Sequence, residues 1–73
     1  MKRYHYIVTI QWVESSGTER LATAYESAFF EDGVSEKDRF EKILEAACAK
    51  HGAPPKKSAV LFYRLAPDAA DGA

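Results

Sequence analysis

The sequence contains one cysteine, Cys48, in 73 residues, so a disulfide within the chain is excluded. A lone cysteine favours a reducing compartment. No apolar run approaches the roughly 20 residues that a membrane-spanning helix needs. The basic N-terminus is not followed by the apolar core and cleavage site of a signal peptide. These absences predict a cytoplasmic protein that does not contact a membrane.

An excess of charge of one sign is also lacking. Ten Lys and Arg residues stand against eleven Asp and Glu residues, which gives a formal net charge of −1. Dedicated nucleic-acid binders usually carry a basic excess, because neutralised phosphates supply most of their affinity. The balance disfavours nucleic-acid binding unless the basic residues are gathered on one face.

Motifs that carry chemistry are absent as well. The sequence has no glycine-rich phosphate loop and no cluster of metal ligands. Cys48 and His51 lie three residues apart, but two ligands do not complete a zinc site. His5 is predicted to lie opposite Glu26, which we interpret as a cross-strand ion pair rather than a general base with its carboxylate. We expect no catalytic residue, no metal site and no cofactor.

The sequence does contain clear strand patterns. Residues 3–13 alternate between two sides with aromatic and β-branched side chains, which predicts a half-buried strand. Residues 14–17 form a turn signal, and a second strand follows over residues 18–30. A four-residue loop would pair Val13 with Thr18, and this register predicts that Leu21 faces the core beside Ile10.

A helix and a third strand follow the hairpin. Ser35 is a predicted N-cap, and Gly52 is a predicted stop for a helix that ends near residue 51. Apolar residues recur along it at helical spacing. The nearly continuous apolar run within residues 58–65 predicts the third strand. We expect a single ββαβ domain over residues 1–66 and a disordered tail over residues 67–73.

These elements predict a small α+β fold. The helix returns the chain by a right-handed crossover, so the third strand pairs antiparallel with the first and the sheet has the order 2-1-3. The helix packs on the more apolar face of the sheet. The residues predicted for that face are Tyr6, Val8, Ile10, Leu21, Tyr25, Phe29, Leu61, Tyr63 and Leu65.

The other face of this sheet is uncovered, which predicts an interaction surface. The predicted interface residues are Ile7, Ala22, Ala24, Val60 and Phe62. Contiguous exposed apolar residues often mark binding sites, and the apolar third strand is also an unprotected edge. We expect a small non-enzymatic interaction domain that binds a second copy, as a dimer, or another protein. Either the open sheet face or the third-strand edge would make the contact.

A weak nucleic-acid-binding function is the alternative. Sheets enter grooves or stack bases on aromatic side chains. The predicted uncovered face has a basic rim of Arg3, His5, Arg20 and Arg64, which are the candidate contacts. Nucleic acid is the second choice as a partner because the net charge is nearly neutral.

Overall fold

The chain folds into a long β-hairpin, a helix and a third strand. The computed structural model describes residues 1–68. Its elements are β1 (Lys2–Val13), β2 (Glu19–Phe30), α1 (Glu36–His51), a short 3-10 helix (Pro55–Lys57) and β3 (Ala59–Pro67). Within these residues β1 pairs antiparallel with β2 on one side and with β3 on the other. The predicted ββαβ fold and strand order 2-1-3 are confirmed.

Helix α1 begins after a capping serine and ends at a glycine. The Ser35 hydroxyl accepts a hydrogen bond from the backbone N–H of Asp38 at 3.1 Å, which satisfies one free donor of the first turn. Gly52 ends the helix with φ of 68°, a left-handed conformation that glycine adopts without strain. The N–H of Ala53 then donates to the carbonyl of Cys48 at 2.8 Å.

The core lies between α1 and one side of the sheet. Its buried residues are Tyr6, Val8, Ile10, Trp12, Ala24, Phe30, Ile43, Ala47, Cys48 and Ala53. Alternate residues of the central strand β1 supply its largest share, as the period-two pattern predicts. The Cys48 side chain is fully buried and therefore packs as a small apolar group.

The predicted register of the hairpin is wrong by one residue. Gly17 adopts φ of 89°, and its N–H donates to the carbonyl of Glu14 at 2.8 Å. The N–H of Glu14 donates to the carbonyl of Thr18 at 2.9 Å, which closes a three-residue loop. A turn followed by a left-handed glycine is a common hairpin connection. It pairs Val13 with Glu19 rather than with Thr18.

This shift exchanges the two faces of β2, because side chains alternate along a strand. Ile10 lies opposite Ala22, and Val8 lies opposite Ala24. Leu21 points away from α1, together with Tyr25 and Phe29, although all three were predicted for the core.

Small side chains on the inner side of β2 allow close packing of the helix. Ala24 of β2 and Ala47 of α1 are each about 1 % exposed, so small side chains line part of the contact between the two elements. The space that remains is filled by the larger side chains of β1, such as Ile10 and Trp12. Large residues of β2 in this position would overfill a close-packed interior.

Strand β3 contains a bulge that the sequence pattern did not reveal. Thr9 pairs with Phe62, whereas the next residue, Ile10, pairs with Val60. Leu61 is the extra residue, and it is 55 % exposed rather than part of the core. A bulge reverses the alternation of side chains across it. Val60 therefore packs against the core beside Ile10, contrary to its predicted position on the uncovered face.

The end of β3 extends beyond residue 65. Pro67 pairs with Tyr4, and the N–H of Asp68 donates to the carbonyl of Arg3 at 3.0 Å. Pro67 and Asp68 thus belong to the sheet and its margin rather than to a disordered tail. The rest of the predicted tail, residues 69–73, lies outside the described residues.

Truncation of residues on the two sides of the sheet tests this register. Ile43→Ala removes a side chain that is 1 % exposed and should lower the free energy of unfolding by about 2–5 kcal/mol. Leu21→Ala is the matched control, because Leu21 is 65 % exposed, and it should change stability by no more than about 0.5 kcal/mol. Urea unfolding at low protein concentration measures both. Equal losses for the two variants would support the register in which Leu21 faces the helix.

Candidate functional site

The candidate site is the side of the sheet that α1 does not cover, here called the open face. Its residues come from all three strands and form rows across the sheet. They are Arg3, His5, Ile7, Thr9 and Gln11 of β1, Leu21, Thr23, Tyr25, Ser27 and Phe29 of β2, and Phe62, Arg64 and Ala66 of β3. The rows run from Phe29 and Arg3 at one end to Leu21 and Gln11 at the other.

Large apolar side chains on the open face are exposed to an unusual degree. Leu21, Tyr25, Phe29 and Phe62 have exposed fractions of 65, 66, 59 and 51 %. Three of them lie on β2 and Phe62 lies on β3, with the half-buried Ile7 between these strands. Scattered exposed apolar residues are normal, but four large ones on one side of a small sheet, separated along β2 by Thr23 and Ser27, favour an interaction site.

Polar contacts hold the middle of the open face in place. The hydroxyls of Thr9 and Thr23 are 2.9 Å apart on neighbouring strands. The ring of His5 stacks on Tyr25, with 6.3 Å between ring centres and 9° between their planes. These contacts fix side chains that would otherwise lose conformational entropy on binding, so the face is partly pre-organised.

Asp68 anchors one end of the open face. Its carboxylate lies 2.6 Å from Nε of Arg3 and 3.3 Å from Nε2 of His5. The Asp68 side chain is 8 % exposed. A carboxylate that leaves water needs such charged partners, and these contacts supply them. Asp68, the residue that follows β3, is thereby fixed to the start of β1.

Ser27, His5 and Asp68 together have the residue types of a catalytic triad. Oγ of Ser27 is 3.3 Å from Nδ1 of His5, and Nε2 of His5 faces the Asp68 carboxylate. Two observations favour a structural role. Arg3 lies closer to Asp68 than His5 does, so the carboxylate mainly neutralises an arginine. Ser27 and His5 are exposed on a sheet surface rather than held in a cleft that excludes water.

The predicted ion pair between His5 and Glu26 does not form. Glu26 lies on the helix side of β2 because of the shifted register, and it pairs with Lys50 of α1. Its negative charge also contributes to the raised pKa of the neighbouring Tyr6, whose main cause is burial.

The structure divides the predicted interface residues between two sides. Ile7 and Phe62 lie on the open face as predicted. Ala22, Ala24 and Val60 lie on the helix side, where they belong to the core or pack against it. The register shift moves the two alanines, and the bulge moves Val60.

The same shift separates the predicted nucleic-acid contacts. Arg3, His5 and Arg64 lie on the open face. Arg20 lies opposite Trp12 on the helix side, and its Nε is 3.0 Å from the carboxylate of Glu14. The predicted basic rim therefore loses one of its members.

Sequence reasoning missed the main apolar residues of the site, Leu21, Tyr25 and Phe29. Their hydrophobic character favoured the core, and the alternation of β2 fits either face. The available signal was Gly17, because a left-handed glycine closes a three-residue loop and changes the pairing by one residue.

A shallow depression interrupts the open face beside Phe62. It is lined by His5, Ile7, Tyr25, Arg64 and Ala66. Its lining combines apolar side chains with the cationic Arg64, which suits an aromatic side chain better than an anion alone. No group of three His, Cys, Asp or Glu side chains within residues 1–68 is arranged to hold a metal ion.

The two edges of the sheet differ in how they are protected. Neither β2 nor β3 has a partner strand on its outer side within the described part of the chain. The bulge at Leu61 interrupts the edge of β3, and bulges are one means by which proteins discourage edge pairing. The predicted liability of the β3 edge is therefore reduced, and the face is the more prominent surface.

Comparison with protein-family profiles, curated proteins and solved structures gives no match. Among residues 1–68, α1 is too short and too polar to cross a lipid bilayer, and no other helix qualifies. What the protein does is therefore inferred from the residues of the open face.

Replacement of Asp68 tests whether it anchors the open face. Asp68→Ala should lower the free energy of unfolding by about 1–2 kcal/mol, because Arg3 and His5 lose a buried charged acceptor but remain partly solvated. Asp32→Ala removes a carboxylate from an exposed turn and should have an effect below about 0.5 kcal/mol. Chemical denaturation compares them. If Asp68→Ala matched the control, Asp68 would not stabilise this end of the sheet.

Proposed function

We propose that the protein is a small non-enzymatic interaction domain whose open face binds another protein chain. The observation that carries this proposal is the exposure of Leu21, Tyr25, Phe29 and Phe62, each more than half exposed, on one side of a sheet. Burying such side chains stabilises a complex by about 1.5–3 kcal/mol for each one fully covered. Aromatic anchors of this kind dominate the energetics of protein interfaces.

The charges of the open face favour protein over nucleic acid. Arg3 is paired with Asp68, so Arg64 is the other arginine among the residues of the open face. A nucleic-acid site gains affinity by releasing counterions from phosphates, which needs a local excess of cations. One arginine beyond that pair supplies little of such an excess.

Nucleic-acid binding is retained as the second candidate because of one observation. Tyr25 and His5 stack on each other, and Phe62 lies near Arg64, which together form an aromatic surface with an adjacent cation. Single-stranded bases stack on surfaces of this kind. Few cations would contact phosphates, so we expect any such binding to be weak and to disappear at physiological salt.

A reducing, cytoplasmic environment is part of the proposal. The one thiol, that of Cys48, is buried and has no disulfide partner in the sequence. Packing explains it without redox chemistry.

The non-enzymatic part of the proposal is tested at Ser27. A fluorophosphonate probe labels serines that a neighbouring histidine activates. We expect the probe to label the wild type no more than it labels Ser27→Ala. The reason is that the contact between Ser27 and His5 stabilises the sheet rather than activating the serine. Labelling that is lost in both Ser27→Ala and His5→Ala, with folding intact, would assign hydrolase chemistry to this group.

Site-specific photo-crosslinking in the native host tests the interaction surface. A photoreactive phenylalanine analogue at position 25 or 62 should give discrete protein adducts. An excess of this protein without the analogue should suppress them, because it competes for the same partner. The same analogue at Lys37, an exposed position on α1, is the matched control and should give none. Nuclease-sensitive adducts would favour the nucleic-acid candidate, and the absence of adducts from both open-face positions would contradict the proposal.

A further inference from the structure

We propose that the outer edge of β2 pairs antiparallel with β2 of a second copy, which joins two three-stranded sheets into one sheet of six strands. The two-fold axis would be perpendicular to the sheet and would pass between the Thr23 residues of the two copies. The surface used is an edge of the sheet rather than its open face, so the inference does not rest on the proposed function. It follows from how β2 is exposed and from what a second β2 places opposite each residue.

The edge of β2 lacks the features that protect the edge of β3. Strand β2 has 12 residues, contains no proline or lysine, and pairs with β1 along its whole length without a shift of register. The edge of β3 carries the bulge at Leu61 and ends in Pro67. Bulges, prolines and lysines discourage the addition of another strand. Strand addition is therefore favoured at β2.

The hydrogen bonds of the hairpin identify which backbone groups of β2 point outward. The N–H of Glu14 donates to the carbonyl of Thr18, so the backbone of Thr18 is directed at β1. Along an antiparallel strand, residues whose backbone groups face the partner alternate with residues whose groups face away. The odd-numbered residues from Glu19 to Phe29 therefore present their N–H and C=O groups at the outer edge, where a second strand could bond to them.

An axis at Thr23 matches the side chains of two copies of β2. On the open side of the joined sheet, Thr23 would lie opposite its own copy and Leu21 would lie opposite Tyr25. On the helix side, Arg20 would lie opposite Glu26. Hydroxyl, apolar and opposite-charge pairs of this kind stabilise neighbouring strands. The symmetry makes the Leu21 and Arg20 contacts twice, because the same edge is used on both copies.

The contact between Arg20 and Glu26 would extend two ion pairs that already exist. Within one copy Arg20 pairs with Glu14, and Glu26 pairs with Lys50. The four side chains are between 40 and 56 % exposed, so each has room for a second partner. Across the axis the charges would alternate along a row from Lys50 to Glu14 of the other copy. Charges arranged in this way fix the register of an interface.

Other positions of the axis match the two strands less well. An axis one residue away in either direction would set Arg20 two positions away from Glu26. An axis through Tyr25 would place Glu19 opposite Glu31 of the other copy, and like charges directly opposite one another are destabilising. The axis at Thr23 is thus the one that the charges of β2 favour.

The number of hydrogen bonds makes such a contact sufficient for specific association. Each directly opposed pair of outward-facing residues exchanges two hydrogen bonds, so the ladder from Glu19 to Ser27 would contain about ten. A typical specific interface also contains about ten direct hydrogen bonds. A strand edge buries less apolar area than a broad face. We therefore expect reversible association with a micromolar dissociation constant rather than an obligate dimer.

Exchange of the charges at Arg20 and Glu26 tests the pairing. In a homodimer, Arg20→Glu and Glu26→Arg each place like charges opposite one another twice, so each should raise the dissociation constant at least about tenfold. An equimolar mixture of the two variants restores both opposite-charge contacts between copies, although neither variant regains the ion pair that it lost within its own chain. The mixture should associate within about threefold of the wild type. Sedimentation velocity of the full chain over a range of concentrations measures each case.

Lys37→Glu and Glu41→Lys are the matched controls for this exchange. The two residues form an exposed pair on α1, with side chains that are 82 and 55 % exposed. Neither variant, alone or mixed with the other, should change the dissociation constant by more than about twofold.

Disulfide formation determines the register. Thr23→Cys should join two copies under mild oxidation, because residues opposed in this way have Cα atoms about 5.5 Å apart, within the range of a disulfide. Glu19→Cys should not be joined, since the axis would separate its two copies by roughly 26 Å along the strands. The wild type controls for Cys48, which is buried.

Three results would overturn the inference. A wild type that stays monomeric up to millimolar concentration would exclude the association. A dimer that the charge exchanges leave unchanged, or one that Thr23→Cys does not trap, would use a different surface. None of these results decides the proposed function, because Phe62 lies on β3, at the opposite edge of the sheet, where photo-crosslinking tests the open face separately.

Discussion

The turn between β1 and β2 is the constraint on which the rest of the structure depends. Gly17 adopts a left-handed conformation, and its hydrogen bond to Glu14 limits the loop to three residues. In an antiparallel hairpin the loop sets the pairing of every residue that follows. Alternate side chains of β2 thereby face either the core or solvent.

The assignment places three alanines of β2 toward the helix and three large apolar side chains toward water. The helix side of β2 presents Ala22, Ala24 and Ala28, which lets α1 approach the sheet closely. The outer side presents Leu21, Tyr25 and Phe29 to water. A chain of this size has few residues with which to build a core, and its stability margin is correspondingly small. Large apolar residues left outside such a core are a cost that a partner chain would remove.

The bulge in β3 likewise determines which side chains of that strand face the core and which lie on the open face. One extra residue, Leu61, turns Val60 inward and leaves Phe62 outward on the same strand. Ile10 gains a neighbour in the core, and the open face gains an aromatic side chain on its second edge strand. The bulge also interrupts the outer edge of β3. These effects together explain why the broad face, rather than the edge, is the main candidate surface.

The sequence by itself determined the elements and their order. Alternation along residues 3–13, the Ser35 cap and the Gly52 stop are local signals, and local hydrogen bonds and propensities suffice to read them. The short connections then limit the topology to ββαβ with β1 in the centre. Ile7 and Phe62 lie on the uncovered side that the alternation predicted, because β1 has one clear alternation and Phe62 keeps the outward position beyond the bulge.

Only the tertiary structure decided which side of β2 faces the helix and where β3 shifts its pairing. Leu21, Tyr25 and Phe29 are apolar enough for a core, and their spacing is the same on either face. The choice depended on a single residue in the turn and on the volume available beneath α1. The position of the bulge likewise depends on how β3 fits against β1. Register is a property of two paired strands, so the pattern of one strand cannot fix it.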